Sequence, residues 1–292
     1  MKRPDAASLP RSLLVLAMAL VLSACGSLFF SALNSGLEAP PPQRHVFDPG
    51  RGLALDAYTP PDAGHGARPA PVLVFFYGGS WTGGERGDYR FVGEALSAEG
   101  VLVIIPDYRK APDTPFPGFV EDAARAVAWA RANAAGLGGD PDRIVLAGHS
   151  AGAHIAAMLA LEARWLGQED VPGTAVDGFI GLAGPYDFLP SDDPDLVEVF
   201  GRDPERQLDA LPVRHVGPDA PRSLLIHGDA DRLVELRNSR SLAAALQQND
   251  VPVTLRIIEG VGHIRLLAGL RAERLADVRD PMRDFIHAAD PD

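Results

Sequence analysis

Residues 143–152 read Arg143-Ile144-Val145-Leu146-Ala147-Gly148-His149-Ser150-Ala151-Gly152, and this stretch decides how the rest of the chain is understood. Arg143 to Ala147 is a short, mostly apolar run of the kind that forms a buried strand, and Ala153 to Ala163 has the pattern of a helix. Between them stands G-x-S-x-G, the signature of a turn so sharp that its serine is held at a strained angle with the hydroxyl exposed. Only residues without bulk fit around such a turn, which accounts for Gly148, Ala151 and Gly152. The pentapeptide alone also suits a glycine-rich turn that binds phosphate. The strand before it and the helix after it point instead to a nucleophilic Ser150.

Outward from this turn the chain alternates strands and helices, which predicts an α/β fold: a mostly parallel, twisted sheet with helices on both faces. Val72 to Phe76, Val101 to Ile105, Asp177 to Leu182, Ser223 to His227 and Val253 to Ile258 read as strands, and Gly52 to Tyr58 as an outer antiparallel one. Tyr89 to Glu99 and Phe119 to Asn133 read as helices, and Leu270 to Ala288 as a closing amphipathic helix. The 292 residues, 46% of them hydrophobic, suffice for one large core. A net charge of -12 offers no basic stripe to nucleic acid. No CxxC, HExxH or P-loop pattern supports a metal or nucleotide, so no cofactor is expected.

In open parallel sheets ligands sit beyond the carboxyl ends of the strands. The segments that follow the predicted strands there are Tyr77-Gly78-Gly79-Ser80-Trp81, Pro106-Asp107-Tyr108-Arg109, Ser150, Gly228-Asp229-Ala230-Asp231 and Gly260-Val261-Gly262-His263. A nucleophile, two candidate acids, a histidine and a glycine-rich loop are therefore expected on one rim. Asp187, after the fourth buried strand, is a third candidate acid.

The amino terminus reads as a targeting segment. Lys2, Arg3 and Arg11 form a positive region, and Leu13 to Leu22 an apolar one too short to span a bilayer comfortably. Leu22-Ser23-Ala24-Cys25 resembles the bacterial lipobox, which implies cleavage before Cys25 and its lipidation, with residues 1–24 as signal peptide. Gly26, in place of Asp, implies export to the outer membrane in a Gram-negative envelope. Cys25 is the only cysteine, so no disulfide forms within the chain. Residues 25–43, ending in Pro40-Pro41-Pro42, read as a stiff tether, and 44–292 as the folded domain.

Taken together, these motifs resemble the α/β-hydrolase superfamily. The similarity is to its carboxylesterases, close to the hormone-sensitive-lipase-like, kynurenine-formamidase-like and isoprenylcysteine-methylesterase-like branches. The resemblance spans Val72 to His263 and rests on Tyr77 to Trp81, Asp107-Tyr108-Arg109 with Pro115-Phe116-Pro117, Glu121-Asp122, and Gly148 to Gly152. It continues through Ile226-His227-Gly228-Asp229-Ala230-Asp231 with Val234 and ends at Gly262-His263. It implies Ser150 as nucleophile, His263 as its base, and an acid that orients the histidine. Motif register favours Asp231 over Asp229 for that acid. His149, His154 and His227 are expected to be packing residues. The oxyanion donors implied are the amides of Ala151, Gly79 and Ser80, with Gly78 allowing the loop to turn. Tyr77 replaces the histidine usual in such loops, where it would brace the loop or intrude on the acyl pocket, and Trp81 reads as an anchor in the core.

The expected activity is hydrolysis of small to medium acyl esters. Arylformamidases and acetylxylan- or feruloyl-type esterases would share the same three residues, as would prolyl-oligopeptidase-type peptidases, which the lack of a preceding propeller disfavours. The segment 190–221 reads as a small cap, which argues against a large lipase flap. A non-catalytic surface-binding lipoprotein on the same scaffold is the rival of a different class.

Overall fold

β-branched and aromatic runs bounded by glycine and proline form eight strands. They are β1 (Gln43–Asp48), β2 (Leu53–Tyr58), β3 (Ala70–Phe76), β4 (Leu102–Pro106), β5 (Gly139–His149), β6 (Val176–Leu182), β7 (Ser223–Gly228) and β8 (Val253–Ile258). The computed structural model describes residues 28–38, 40–63 and 68–288. The predicted targeting segment and Cys25 lie outside the described residues.

The strands form one sheet in the order β1-β2-β4-β3-β5-β6-β7-β8. β1 and β2 are antiparallel to their neighbours, and every pairing from β4 to β8 is parallel. Successive strand side chains point to opposite faces, so the complete burial of β3 means that both faces are covered there. This is the predicted fold class. β2 is antiparallel as expected but not outermost, because Gln43 to Asp48 adds a further strand beyond it.

Two groups of helices cover the sheet. In one, α3 (Gly118–Asn133), α4 (Ala151–Leu161) and α5 (Ala163–Gly167) pack together; in the other, α2 (Arg90–Ser97), α9 (Arg265–Arg271) and α10 (Arg279–His287) do so. α8 (Arg237–Gln248) packs on β7 and β8. The predicted closing helix is broken. α9 ends at Arg271, Ala272 is extended (φ -152, ψ 104), and a Cβ on Gly269 would meet the Ala276 carbonyl oxygen at 2.3 Å, so the returning chain lies directly on α9. Pro281, which cannot donate to a preceding carbonyl, falls in the first turn of α10, where none is required.

The tether is also corrected. Residues 28–34 form a helix, α1, and the folded part is already present at residue 28 rather than at 44. Leu33 is buried, and Phe29, Phe30 and Leu37 pack against the core, a spacing that covers one helical face. Asn34 Nδ2 donates to the carbonyls of Gly87 and Asp88 (3.2 and 3.0 Å), and its Oδ1 accepts from Phe91 N (3.0 Å).

The expected cap segment holds α6 (Pro194–Phe200), α7 (Pro204–Asp209) and a 3-10 turn at Pro212–His215. Asp193 and Asp203 cap the two helices by accepting from the amides of Asp195 and Glu205, and each is followed by a proline at the first helical position. Buried Gln207 ties them together, accepting from Ser191 N (2.8 Å) and donating to the Gly201 carbonyl (2.7 Å).

Candidate active site

β5 ends at His149 and α4 begins at Ala151, leaving Ser150 alone in the turn with φ 55 and ψ -124. Such a backbone costs on the order of 1–3 kcal/mol in a residue other than glycine. Bonds on both sides hold it: Ser150 N donates to the Leu182 carbonyl (2.9 Å), and its own carbonyl accepts from Ala153 and His154 (2.9 and 3.1 Å). A Cβ on Gly148 would meet the Gly152 carbonyl carbon and oxygen at 2.3 Å, so the strand and the helix touch across the turn.

The loops after β7 and β8 bring together the predicted acid and base. Asp231 Oδ2 accepts from His263 Nδ1 at 2.7 Å, and Oδ1 accepts from the amides of Leu233 and Val234, both at 2.9 Å. Burial alone would raise the Asp231 carboxyl; the hydrogen bonds from His227, His263 and Val234 outweigh it and hold the group well below the usual carboxylate range. Asp231 is thus acceptor-only and fixes His263 with Nδ1 protonated. His263 Nε2 is buried and has no partner among the described residues.

The other two candidate acids do other things. Asp229 Oδ1 accepts from Gly260 N (2.7 Å) and ties the two loops to each other. Asp187 accepts from Ser241 Oγ (2.6 Å) and does not join the pair.

The glycine loop reaches the serine from β3. Cβ atoms built on Gly78 would lie 3.0 Å from His149 Nδ1 and 3.1 Å from Ser150 Cβ. Gly79 has φ 140 and Ser80 φ 52, and the amides of Gly79, Ser80 and Ala151 have no partner among the described residues. Ala151 N is the first amide of α4, where no preceding turn supplies a carbonyl. Tyr77 does not intrude on the cleft. It is fully buried, stacks on Tyr108 (4.6 Å between centroids) and donates its hydroxyl to Asp107 (3.3 Å), while Tyr108 OH donates to the Tyr77 carbonyl (2.9 Å).

Three further buried histidines surround the site, each with both ring nitrogens engaged. His149 Nε2 donates to the His263 carbonyl (3.3 Å) and Nδ1 accepts from Tyr89 OH (3.2 Å). His154 Nε2 donates to the Ala210 carbonyl (2.8 Å) and Nδ1 accepts from Trp81 Nε1 (3.2 Å). His227 Nε2 donates to the Val234 carbonyl (2.9 Å) and Nδ1 accepts from Ser239 Oγ (2.7 Å). Burial holds His149 well below its ordinary value, with the neighbouring His263 adding to this, and lowers His154 to about 4. Tyr89 and Ser239 carry no sequence motif; they are visible only once the chain is folded.

A cleft of about 690 Å³ opens beside Ser150, lined among others by Ser80, Trp81, Ala151, Phe188, Val199 and Leu233. Trp81 is the predicted anchor and also a wall of this cleft, stacked on Phe188 at 5.6 Å. A second hollow, of about 500 Å³, lies at the amino ends of β3 and β5 and holds none of the candidate residues. Asp107, Arg109 and Asp122 are engaged in ion pairs. Arg109 binds both carboxylate oxygens of fully buried Asp122 (2.8 and 2.9 Å), and Arg86 pairs with Asp56 (2.9 Å) and with Asp107. Among the described residues no group of His, Cys, Asp and Glu is arranged to hold a metal ion.

The sequence profile of the BD-FAE family matches residues 55–246, which include the elbow, the glycine loop and Asp231. The chain belongs to the BD-FAE family. It is similar to Esterase LipC of Mycobacterium tuberculosis (35% identical over 223 residues, 70% of this chain and 55% of that protein). It is also similar to the probable isoprenylcysteine alpha-carbonyl methylesterase ICMEL1 of rice (31% identical, 78% of this chain and 56% of that protein). The chain thus spans about half the length of the curated relatives it matches. Among solved structures it resembles esterase Est2 of Thermogutta terrifontis, with a TM-score of 0.71 at 26% identity over 87% of this chain and 95% of that one. These relatives and this neighbour are named as esterases, the class that the sequence motifs resemble.

Proposed function

We propose that the protein is a serine carboxylesterase for small to medium acyl esters, working through an acyl-enzyme. The observation that carries this reading is the Asp231–His263 pair, bonded at 2.7 Å with the far nitrogen of His263 unpartnered. Ser150 Oγ attacks the acyl carbonyl while His263 Nε2 takes its proton, and the ionised Asp231 stabilises the imidazolium. The negative oxygen that develops is received by the amides of Ala151, Gly79 and Ser80. The carbon–oxygen bond to the alcohol then breaks, and His263 returns the proton to the departing oxygen. Water repeats the cycle and frees the acid. Solved structures of Est2 with butyrate bound, and of Est2 phosphonylated by sarin, support the acyl size and a phosphonylatable nucleophile on this fold.

The test is turnover of p-nitrophenyl acetate, butyrate and octanoate by the wild type and Ser150→Ala, with labelling by a fluorophosphonate. Turnover and labelling lost together in the variant support the assignment. No turnover and no labelling in the wild type defeats it. Labelling without ester turnover would move the search to formamides and acylated sugars.

We propose in addition that Cys25 is lipidated and holds the enzyme in the bacterial envelope, at the outer membrane in a Gram-negative cell. Two residues separate Cys25 from docked residue 28, a reach of roughly 10 Å, so the domain would sit against the bilayer. Metabolic labelling with palmitate, lost in Cys25→Ala, tests this.

A further inference from the structure

Tyr89 lies just before α2, 11 positions from Gly78 and 60 from His149, and its ring is buried. Its hydroxyl accepts from the amide of Gly78 (3.1 Å) and donates to His149 Nδ1 (3.2 Å). The donor direction is fixed, because His149 Nε2 spends its proton on the carbonyl of His263. One oxygen therefore joins the loop that carries the proposed oxyanion amides to the backbone of the proposed base, by way of the residue next to Ser150. The rings of His149 and His263 are 4.7 Å apart.

Tyr89 is itself held from behind by residues 28–37. Phe30 packs on it with centroids 5.0 Å apart. Asn34 bonds the carbonyls of Gly87 and Asp88 and the amide of Phe91, the residues on either side of Tyr89. Arg271, on the helix that follows His263, donates to the carbonyl of Ser35 (3.2 Å). Residues 28–37 thus clamp both the support of the glycine loop and the helix that follows the base.

We propose that Tyr89 is a positioning residue of the active site, setting the glycine loop and the His263 loop relative to each other through its single hydroxyl, with residues 28–37 holding its ring in place. This rests on the esterase reading above. Neither contact involves a group that meets substrate in the ground state, so the effect falls on the geometry of the transition state. A misplacement of this kind costs about 10- to 100-fold in rate.

Tyr89→Phe keeps the ring and removes only the bridge. The expected result is a kcat lower by about 10- to 100-fold with KM within about threefold of wild type. Phosphonylation of Ser150 by a fluorophosphonate is expected to slow by a similar factor while still reaching one label per chain. A merely structural role would instead lower the fraction of chains labelled and leave the rate of the remainder unchanged. Phe30→Ala, which leaves the hydroxyl in place, is expected to lower kcat by a smaller factor in the same pattern. A Tyr89→Phe enzyme with wild-type kcat, or one in which only the labelled fraction falls, overturns the proposal. A wild-type protein that neither turns over esters nor takes the label defeats the esterase reading itself, which keeps the two failures distinct.

Discussion

Gly152 and Phe76 are in backbone contact: a Cβ on Gly152 would lie 2.0 Å from the Phe76 carbonyl oxygen. This is where α4 is seated on β3, and it sets how deeply Ser150 sits among the strand ends. Gly152→Ala must push the helix away, and overpacking of this kind typically costs about 1–3 kcal/mol. Gly167→Ala, exposed at the end of α5 with nothing near the new atom, is expected to be neutral or stabilising by up to about 1 kcal/mol. Urea unfolding of the pair checks the contrast.

Asp231→Asn should leave the fold nearly intact, since the amide oxygen can still accept from Leu233 and Val234. Its NH2 group would then face His263 Nδ1 and favour the tautomer with the proton on Nε2, which cannot act as a base toward Ser150. The expected loss in kcat is about 1,000- to 10,000-fold with little change in melting temperature. Equal damage to both would mean that Asp231 serves the fold alone.

Acid should weaken the fold before it reaches ordinary carboxylate values. The unfolded chain takes up a proton at a histidine near 6.5, whereas buried His154 does so only near 4. Stability from this group is therefore full above about 6.5, falls as the pH drops through that window, and the loss is complete by about 4, amounting to on the order of 3 kcal/mol. His149 acts in the same direction. Asp231 adds to the loss below 3.8, because its folded value lies lower still. Melting temperatures between pH 4 and 7 should slope accordingly, and His154→Gln should flatten part of the slope.

The cleft wall carries Asp193, Asp195, Glu198 and Glu235 against a single cation, Arg237, which already bonds Glu235 at 2.7 Å. Cationic esters should be concentrated there. Acetylcholine is expected to exceed its neutral isostere 3,3-dimethylbutyl acetate by about 3- to 10-fold in kcat/KM at low ionic strength, the gap closing in high salt. The opposite order would show that these carboxylates do not face the bound ester.

The parts of the site legible in the sequence are those whose chemistry is local. Gly148, Ser150 and Gly152 announce the elbow because the turn itself forbids bulk, and Asp231 and His263 stand in short loops directly after strands. The Tyr89–His149 bridge spans 60 positions and has no composition of its own, so nothing in either neighbourhood points to it. The break between α9 and α10 was signalled by Pro281, but amphipathic spacing continues across it and hides the interruption. Residues 28–37 run into Pro40-Pro41-Pro42, whose stiffness suggests a tether, whereas the spacing of Phe29, Phe30, Leu33 and Leu37 is that of a docked face.

The saturation of His149, His154 and His227 has a consequence for how the protein can be probed. Each of their ring nitrogens is occupied by a named donor or acceptor, whereas one nitrogen of His263 is not. An imidazole-directed acylating reagent small enough to enter the cleft would find one receptive lone pair among four buried rings. Inactivation should follow modification of a single buried histidine, and an ester occupying the cleft should shield it.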